Sequence, residues 1–289
     1  MKIAIFGSKH QKKEQVEKLF ELLEQNKIEI YIQNKFYTYL KDVLALNYNI
    51  AGIIDSDNFD VDLVVSIGGD GTFLRTTTAI GKKNIPILGI NAGRLGFLAD
   101  VGEKDLEATF SDILSENYRI EHRSQLQLST EHRNYEGFNY ALNEIAILKQ
   151  DTASMITVHA SINGEYLTSY EADGLVIATP TGSTAYALSV GGPVLAPTTS
   201  NFVIAAVAPH SLSNRPLVVP DDSIITLDVE SRNNSFLISL DGRSNIFRTG
   251  TKLTISKADF KLKVIKRREN TFYKTLRNKL MWGVDPRQS

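Results

Sequence analysis

The sequence predicts an α/β N-terminal domain on a Rossmann-like parallel sheet. A β-rich, sandwich-like C-terminal domain follows, and a last helix packs back on the first domain. Three observations carry this expectation. Short apolar runs alternate with helix-patterned segments through the first 120 residues. The texture then turns β-branched, alternating and turn-punctuated, and the chain closes on one more amphipathic segment. Strands alternating with helices argue for a parallel sheet covered on both faces. A chain of 289 residues fits two domains at roughly 100–200 residues each. The expected division is 1–120, joined by the C-terminal segment 268–289, with 121–267 as the β-rich domain.

The elements follow in order. "KIAIF" (2–6) reads as a buried strand, and "QKKEQVEKLFELLEQN" (11–26) sets Val16, Leu19, Phe20, Leu22 and Leu23 on one helical face. "KIEIYI" (27–32) alternates like a strand, and residues 35–46 can form a helix. "DLVVSIG" (62–68) is a strongly β-like run ending in glycine; 72–80 suits a helix and "IPILGIN" (85–91) a strand. "EKDLEATFSDILSEN" (103–117) is helical again. Beyond residue 120, "INGEY" (162–166) holds Asn163-Gly164 between alternating runs, a strong two-residue hairpin signal. "ESRNNSF" (230–236) and "SLDGRSN" (239–245) read as further turns. The segment 270–283 returns to helix, with Phe272, Leu276 and Leu280 at i, i+4 spacing.

Composition narrows the class. The chain has no cysteine, which excludes disulfides and thiolate metal sites. Its histidines, His10, His122, His132, His159 and His210, show no HxxxH or HExxH pairing, so no zinc site is supported. The apolar run at the start is too short for a signal peptide, and no stretch nears the roughly 20 apolar residues of a membrane span. The expected location is the cytoplasm, with no membrane partner. A net charge of −1 gives no global field for nucleic acid, so none is expected as a partner.

Four segments could carry chemistry. "GGDGT" (68–72) follows a strand and opens a helix, where ligands sit in open parallel sheets. Glycines there present N–H groups to phosphate, although the word is neither GxGxxG nor a Walker A loop. In "NEIAIL" (143–148), Asn143 and Glu144 interrupt an apolar strand, either as an exposed strand end or as a pair that grips a sugar or base. "TPTGSTAYALSVGGP" (179–193) stacks hydroxyls and glycines around Tyr186, which could stack on an aromatic base or belong to the core. "DGR" (241–243) is a turn by default, and an acid plus a base by the functional reading.

Together these words resemble the NAD kinase family. The matching segments are "GGDGTFLR" (68–75), "GINAGRLGFLAD" (89–100), "NE" (143–144), "DGLVIATPTGSTAYALSVGGP" (173–193), "PHSLSNRPLVVP" (209–220), "DG" (241–242) and "FYKTLRNKLMWG" (272–283). GGDG alone is shared with diacylglycerol and sphingosine kinases and resembles a 6-phosphofructokinase turn. The NE pair with the TPTGSTAY word is far more specific. The resemblance implies transfer of the γ-phosphoryl group of ATP, or of polyphosphate in some members, to the 2′-hydroxyl of NAD's adenosine ribose. It also implies a divalent cation, usually Mg²⁺, and a homodimer or homotetramer whose NAD site can borrow residues from a neighbouring subunit.

Carried over by resemblance, Asp70 is the catalytic proton acceptor, with Gly71 beside it at the dinucleotide and Arg75 reaching the ligand. Asn143 and Glu144 hold ribose and adenine, and Asp173 lies below the base-binding pocket. Thr184, Ala185, Tyr186, Ala187, Leu188 and Ser189 form the loop that packs on the bases, and Ala208 and Arg243 match variable contact positions. Gly68, Gly69, Gly71 and Thr72 are expected to meet the ATP phosphates. A carboxylate within hydrogen-bond reach of an alcohol helps by taking its proton, and burial beside phosphates is expected to raise the pKa of Asp70. Direct metal binding by Asp70 is the alternative role. Two other readings stay open: a non-catalytic nucleotide-binding regulator, and a lipid kinase sharing GGDG.

Overall fold

The computed structural model describes residues 1–9, 11–93, 96–131, 134–151 and 154–283. His10, His132, Arg94 and Leu95 of the "GINAGRLGFLAD" word, and 284–289 of the C-terminal segment lie outside the described residues. The chain divides into two compact units, Met1–His122 with Leu262–Ser289, and Arg123–Lys261.

In chain order the first unit carries β1 (Lys2–Gly7), α1 (Lys13–Gln25), β2 (Glu29–Gln33), α2 (Asn34–Asp42), β3 (Gly52–Ile54), β4 (Leu63–Ile67), α3 (Asp70–Ile80), β5 (Ile87–Ile90), α4 (Leu106–Leu114) and β6 (Tyr118–Arg123), which leads out of it. The second unit carries β7 (Leu126–Thr130), β8 (Tyr140–Ala141), β9 (Glu144–Lys149), β10 (Ile156–Ile162), β11 (Glu165–Ala172), β12 (Gly174–Ala178), the short α5 (Tyr186–Ser189), β13 (Asn201–Val207), β14 (Leu217–Pro220), β15 (Ile225–Glu230), β16 (Ser235–Leu240), β17 (Arg243–Arg248) and β18 (Leu253–Lys257). The chain then returns to the first unit as β19 (Leu262–Arg267) and α6 (Phe272–Leu280).

The first sheet has seven strands in the order β3-β2-β1-β4-β5-β19-β6. The pairs from β3 through β19 are parallel. Such strands are buried on both faces, which is why β4 reads as the unbroken run Leu63, Val64, Val65, Ser66, Ile67. Val16, Leu19, Phe20 and Leu23 of α1 and Phe110 of α4 cover one face. Register aligns Gly7 with Ile67 and Ile67 with Ile90, so β1, β4 and β5 end together. The order reverses direction between β1 and β4, the switch point at which open α/β sheets bind ligands.

Three details differ from the sequence-based expectation. β3 has only three residues, too few to show a period. Helix α3 starts at Asp70 rather than 72, because the N–H groups of Thr72 and Phe73 already donate to Gly69 O. The chain rejoins the first unit at Leu262, ahead of 268, because β19 adds to the sheet beside β5, with Val264 opposite Ile87.

The second unit is two antiparallel six-stranded sheets, β11-β10-β15-β18-β7-β8 and β14-β13-β12-β9-β16-β17. Their inner faces share one core, with Leu128, Val158 and Leu227 from the first and Ile145, Ile177, Ile204 and Ile238 from the second. That is a sandwich. The Asn163-Gly164 hairpin forms as expected: Ile162 pairs with Glu165, and both turn residues have positive φ, 52° and 84°.

Candidate active site

In the first unit the chain leaves β4 through Gly68 and Gly69 and enters α3 at Asp70. The Asp70 carboxylate closes back on the segment after β5. Phe97 N–H donates to Oδ2 at 3.0 Å, and Leu98 and Ala99 N–H donate to Oδ1, each at 3.1 Å. Lys279 Nζ, on α6, lies 3.2 Å from Oδ2. Gly96 makes this seat: a Cβ there would overlap Asp70 Oδ1. Burial pushes the Asp70 pKa up, but the Ala99 N–H, the Lys279 ammonium and the Phe97 and Leu98 N–H groups outweigh it. The carboxyl therefore sits below its ordinary value, against the expected rise: burial acts as anticipated, and the donors were not visible in the sequence.

Beside this turn lies a cavity of about 410 Å³, lined by Phe6 to Lys9 after β1, Gln33, Lys35 and Phe36 near the end of β2, and Thr72, Arg75, Thr76 and Ala79 of α3. It occupies the switch point. Arg75 Nη2 donates to Thr72 Oγ1 at 3.1 Å, so Arg75 shares the cavity with Lys9 and Lys35. Three cations around a site at a helix N-terminus suit a polyanion. Gly71 is exposed, and a Cβ there would meet nothing nearer than Arg75 Nη1 at 3.9 Å.

In the second unit a different carboxylate set forms around Asn143 and Glu144. Asp241 and Gly242 are the two turn residues between β16 and β17, with φ 48° and 81°. From that turn Asp241 accepts N–H bonds from Leu142 (2.7 Å), Asn143 (2.8 Å) and Glu144 (3.1 Å). The "DG" word is thus both a turn and the anchor of the NE pair. Burial pushes the Asp241 pKa up, against those N–H groups and Arg243. The Glu144 pKa is pushed up to about 8 by burial and by Asp241, opposed by the Tyr186 N–H. Glu144 Oε2 is buried with no hydrogen-bond partner.

The hydroxyl-rich segment packs on this pair. Thr179 Oγ1 donates to Leu142 O at 2.5 Å and accepts from Gly182 N–H at 3.1 Å. Ser183 Oγ donates to Pro180 O at 2.7 Å and accepts from Leu195 N–H at 3.0 Å, and Thr184 Oγ1 donates to Thr181 O at 3.3 Å. A Cβ on Gly182 would overlap the Asn143 backbone. These hydroxyls shape the loop rather than face outward, which composition alone did not distinguish. Along β9 and β12, residues 144, 146 and 148 and residues 176 and 178 face away from the sandwich core. Tyr186 and Ala187 lie over Ala146, Val176 and Ala178, small side chains that leave room for a flat ring. Ala185 and Leu188 are partly buried, and Ser189 is exposed.

Two expected residues, Asp173 and Ala208, stand apart from that pair, and a third, Arg243, turns to backbone. Ala178 pairs with Glu144 at one end of the β12–β9 ladder and Gly174 with Leu148 at the other. Asp173 lies at the second end, where Lys149 Nζ is 2.7 Å from its Oδ1. Ala208 follows β13 at the same end, one residue after Val207, whose carbonyl accepts from Asp173 N–H at 2.9 Å. Arg243 turns its guanidinium to backbone, donating to Phe138 O and Tyr140 O at 2.5 Å each. Sequence reasoning missed Lys279, Gly96, Lys9 and Lys35; the i, i+7 spacing of Phe272 and Lys279 was the one signal available for the first.

Among the described residues no group of three His, Asp or Glu side chains could hold a metal ion. Both oxygens of Asp70 are taken by donors, one of them an ammonium. This donor set does not fit a resident Mg²⁺. Nor is any described helix long and apolar enough to cross a membrane.

Comparison with known proteins finds relatives over the whole chain. A family model described as "ATP-NAD kinase N-terminal domain" matches residues 4–118, and one described as "ATP-NAD kinase C-terminal domain" matches 142–267. The chain is 52% identical to the NAD kinase of Bacteroides fragilis over 289 residues, covering 99% of this chain and 100% of the relative. It is 46% identical to the NAD kinase of Porphyromonas gingivalis over 285 residues, 98% of each. Among solved structures, a yeast NADH kinase complexed with NADH aligns with a TM-score of 0.88 at 23% identity, over 100% of this chain and 90% of that one, and shows the fold. An NAD kinase from Archaeoglobus fulgidus in complex with ATP aligns with a TM-score of 0.77 at 28% identity, over 97% and 98%.

Proposed function

The chain belongs to the NAD kinase family, and on that premise we propose how its residues divide the reaction. The enzyme is a phosphotransferase that makes NADP from NAD with ATP as donor. Phosphoryl transfer is mostly positioning and charge stabilisation. The donor's phosphates meet the turn at Gly68, Gly69, Gly71 and Thr72, and the cavity with Lys9, Lys35 and Arg75 takes the rest of their charge. Asp70 accepts the proton of the 2′-hydroxyl as the phosphoryl group reaches that oxygen. Its lowered pKa makes it a weak base, but one ionised throughout the neutral range. The divalent cation arrives with the ATP, as part of the substrate.

Asn143 and Glu144 hold the ribose by hydrogen bonds, Asp241 fixes their backbone, and Tyr186 with its neighbours packs on a base. Asp173 and Ala208 act at the far end of the β9–β12 ladder. They suit contact with NAD bound to a neighbouring subunit of a homodimer or homotetramer. Arg243 serves the fold.

The observation that carries this reading is the Asp70 carboxylate, fixed by three backbone N–H groups on the turn beside a cationic switch-point cavity. The test is Asp70→Asn with Mg²⁺, ATP and NAD, scored by an NADP-specific dehydrogenase. Loss of a general base costs on the order of 10²–10⁴-fold in kcat, with NAD affinity kept. A variant turning over near the wild-type rate removes Asp70 as base. No NADP from the wild type with any donor defeats the whole reading.

A further inference from the structure

We propose that Lys279 is the counter-charge that lets the donor's phosphates approach Asp70. A carboxylate on a phosphate-binding turn is an electrostatic conflict: the turn's N–H groups draw a polyanion towards a fixed negative charge. The structure places one ammonium against that charge, Lys279 Nζ at 3.2 Å from Asp70 Oδ2. Among the described residues the loop side of Asp70 contributes only the N–H groups of Phe97, Leu98 and Ala99. Arg75, one turn along α3, is engaged with Thr72 Oγ1.

The lysine is held where it is needed. Thr271 Oγ1 caps α6 by accepting from Lys274 N–H at 3.2 Å. Phe272 sets its ring 6.2 Å from that of Phe97, and Leu276 is buried one turn on. Phe272, Leu276 and Lys279 recur at i, i+4 and i+7, one face of a helix. Lys279 Nζ also lies 4.7 Å over the Phe97 ring, a cation–π contact that fixes it beside the loop. The loop is pinned from the same returning segment: Lys266 Nζ on β19 is 2.8 Å from Asp100 Oδ2, both buried. Two lysines of the C-terminal return therefore serve Asp70, Lys266 by holding the loop that seats it and Lys279 by neutralising it. Lys279 acts through Asp70 and is a positioning residue.

This inference rests on the reading that places ATP at the Gly68–Thr72 turn, and a double-mutant cycle on ATP binding tests it. The proteins compared are wild type, Asp70→Asn, Lys279→Met and the double variant, with Mg·ATP dissociation constants from calorimetry. An uncompensated carboxylate beside the phosphates is expected to weaken ATP binding on the order of tenfold in Lys279→Met. In the Asp70→Asn background the same change should cost little, so the two effects do not add. Lys279→Arg should restore binding, and the KM for NAD should stay near wild type. If Lys279→Met weakens ATP equally with and without the Asp70 charge, or not at all, the counter-charge role is wrong. Should Lys279→Met melt early, Lys279→Gln repeats the cycle, keeping a donor without the charge. An Asp70→Asn variant that stays active defeats the base assignment alone, because the cycle reads binding and not turnover.

Discussion

Asp70 in the α/β unit and Glu144 in the sandwich unit are held in opposite ways. In the α/β unit, Asp70 and Asp100 each face a lysine from the chain's return, and Asp70 takes three backbone N–H bonds besides. In the sandwich unit, Glu144 has Asp241 for a neighbour and one buried oxygen with no partner. At Asp70 these donors favour the charged form, as a proton acceptor needs. The arrangement at Glu144 favours the neutral form, which donates as well as accepts and so suits ribose hydroxyls. One kind of side chain is set to two tasks by what its backbone and neighbours supply.

The largest expected effect is on the first unit. Lys266→Met leaves Asp100 buried and unpaired, and such breaks cost about 3–5 kcal/mol. A denaturant melt should show that loss. Next comes Gly96→Ala. Its Cβ would displace the Asp70 carboxylate by overlap with Oδ1, and misplacement of that order costs on the order of 10²-fold in kcat. Steady-state kinetics should show the fall in kcat with the KM for NAD little changed.

Asp241→Ala should be milder. It strips the acceptor from the N–H groups of Leu142, Asn143 and Glu144, a loss of about 1–3 kcal/mol by thermal or chemical unfolding. The same change should lower the pKa of Glu144, because Asp241 helps raise it.

The smallest effect is a pH dependence. The pKa of Glu144 rises from 4.5 to about 8 on folding. The folded state therefore binds the proton more tightly, and stability present below pH 4.5 is lost as pH rises towards about 8. Glu144→Gln removes this titration. Its melting temperature should match wild type in acid and gain on it across that window, and a gap independent of pH would contradict the shift.

Much of this was legible in the sequence because it is periodic or local. The both-faces-buried strand "LVVSI", the amphipathic α1 and the Asn163-Gly164 turn each follow from neighbours a few residues apart. The candidate residues of "GGDG", "NE" and "TPTGSTAY" were legible as words. Their tasks were not. The lysine on Asp70 comes from 209 residues away and the Asp241 anchor of Glu144 from 97. Hydroxyls that looked like ligand donors turned out to bond their own loop, since composition does not say which way Thr179 or Ser183 points. Arg243, two residues after Asp241, turns to the carbonyls of Phe138 and Tyr140, which composition likewise does not reveal.

The contrast between the two carboxylates is measured most directly by carboxyl-carbon NMR titration of the ¹³C-labelled protein, with Asp70→Asn and Glu144→Gln assigning the two resonances. Asp70 should titrate below the ordinary aspartate range and Glu144 near 8. Glu144 moving with the other glutamates near about 4.3, or Asp70 titrating at or above the ordinary range, would contradict the account.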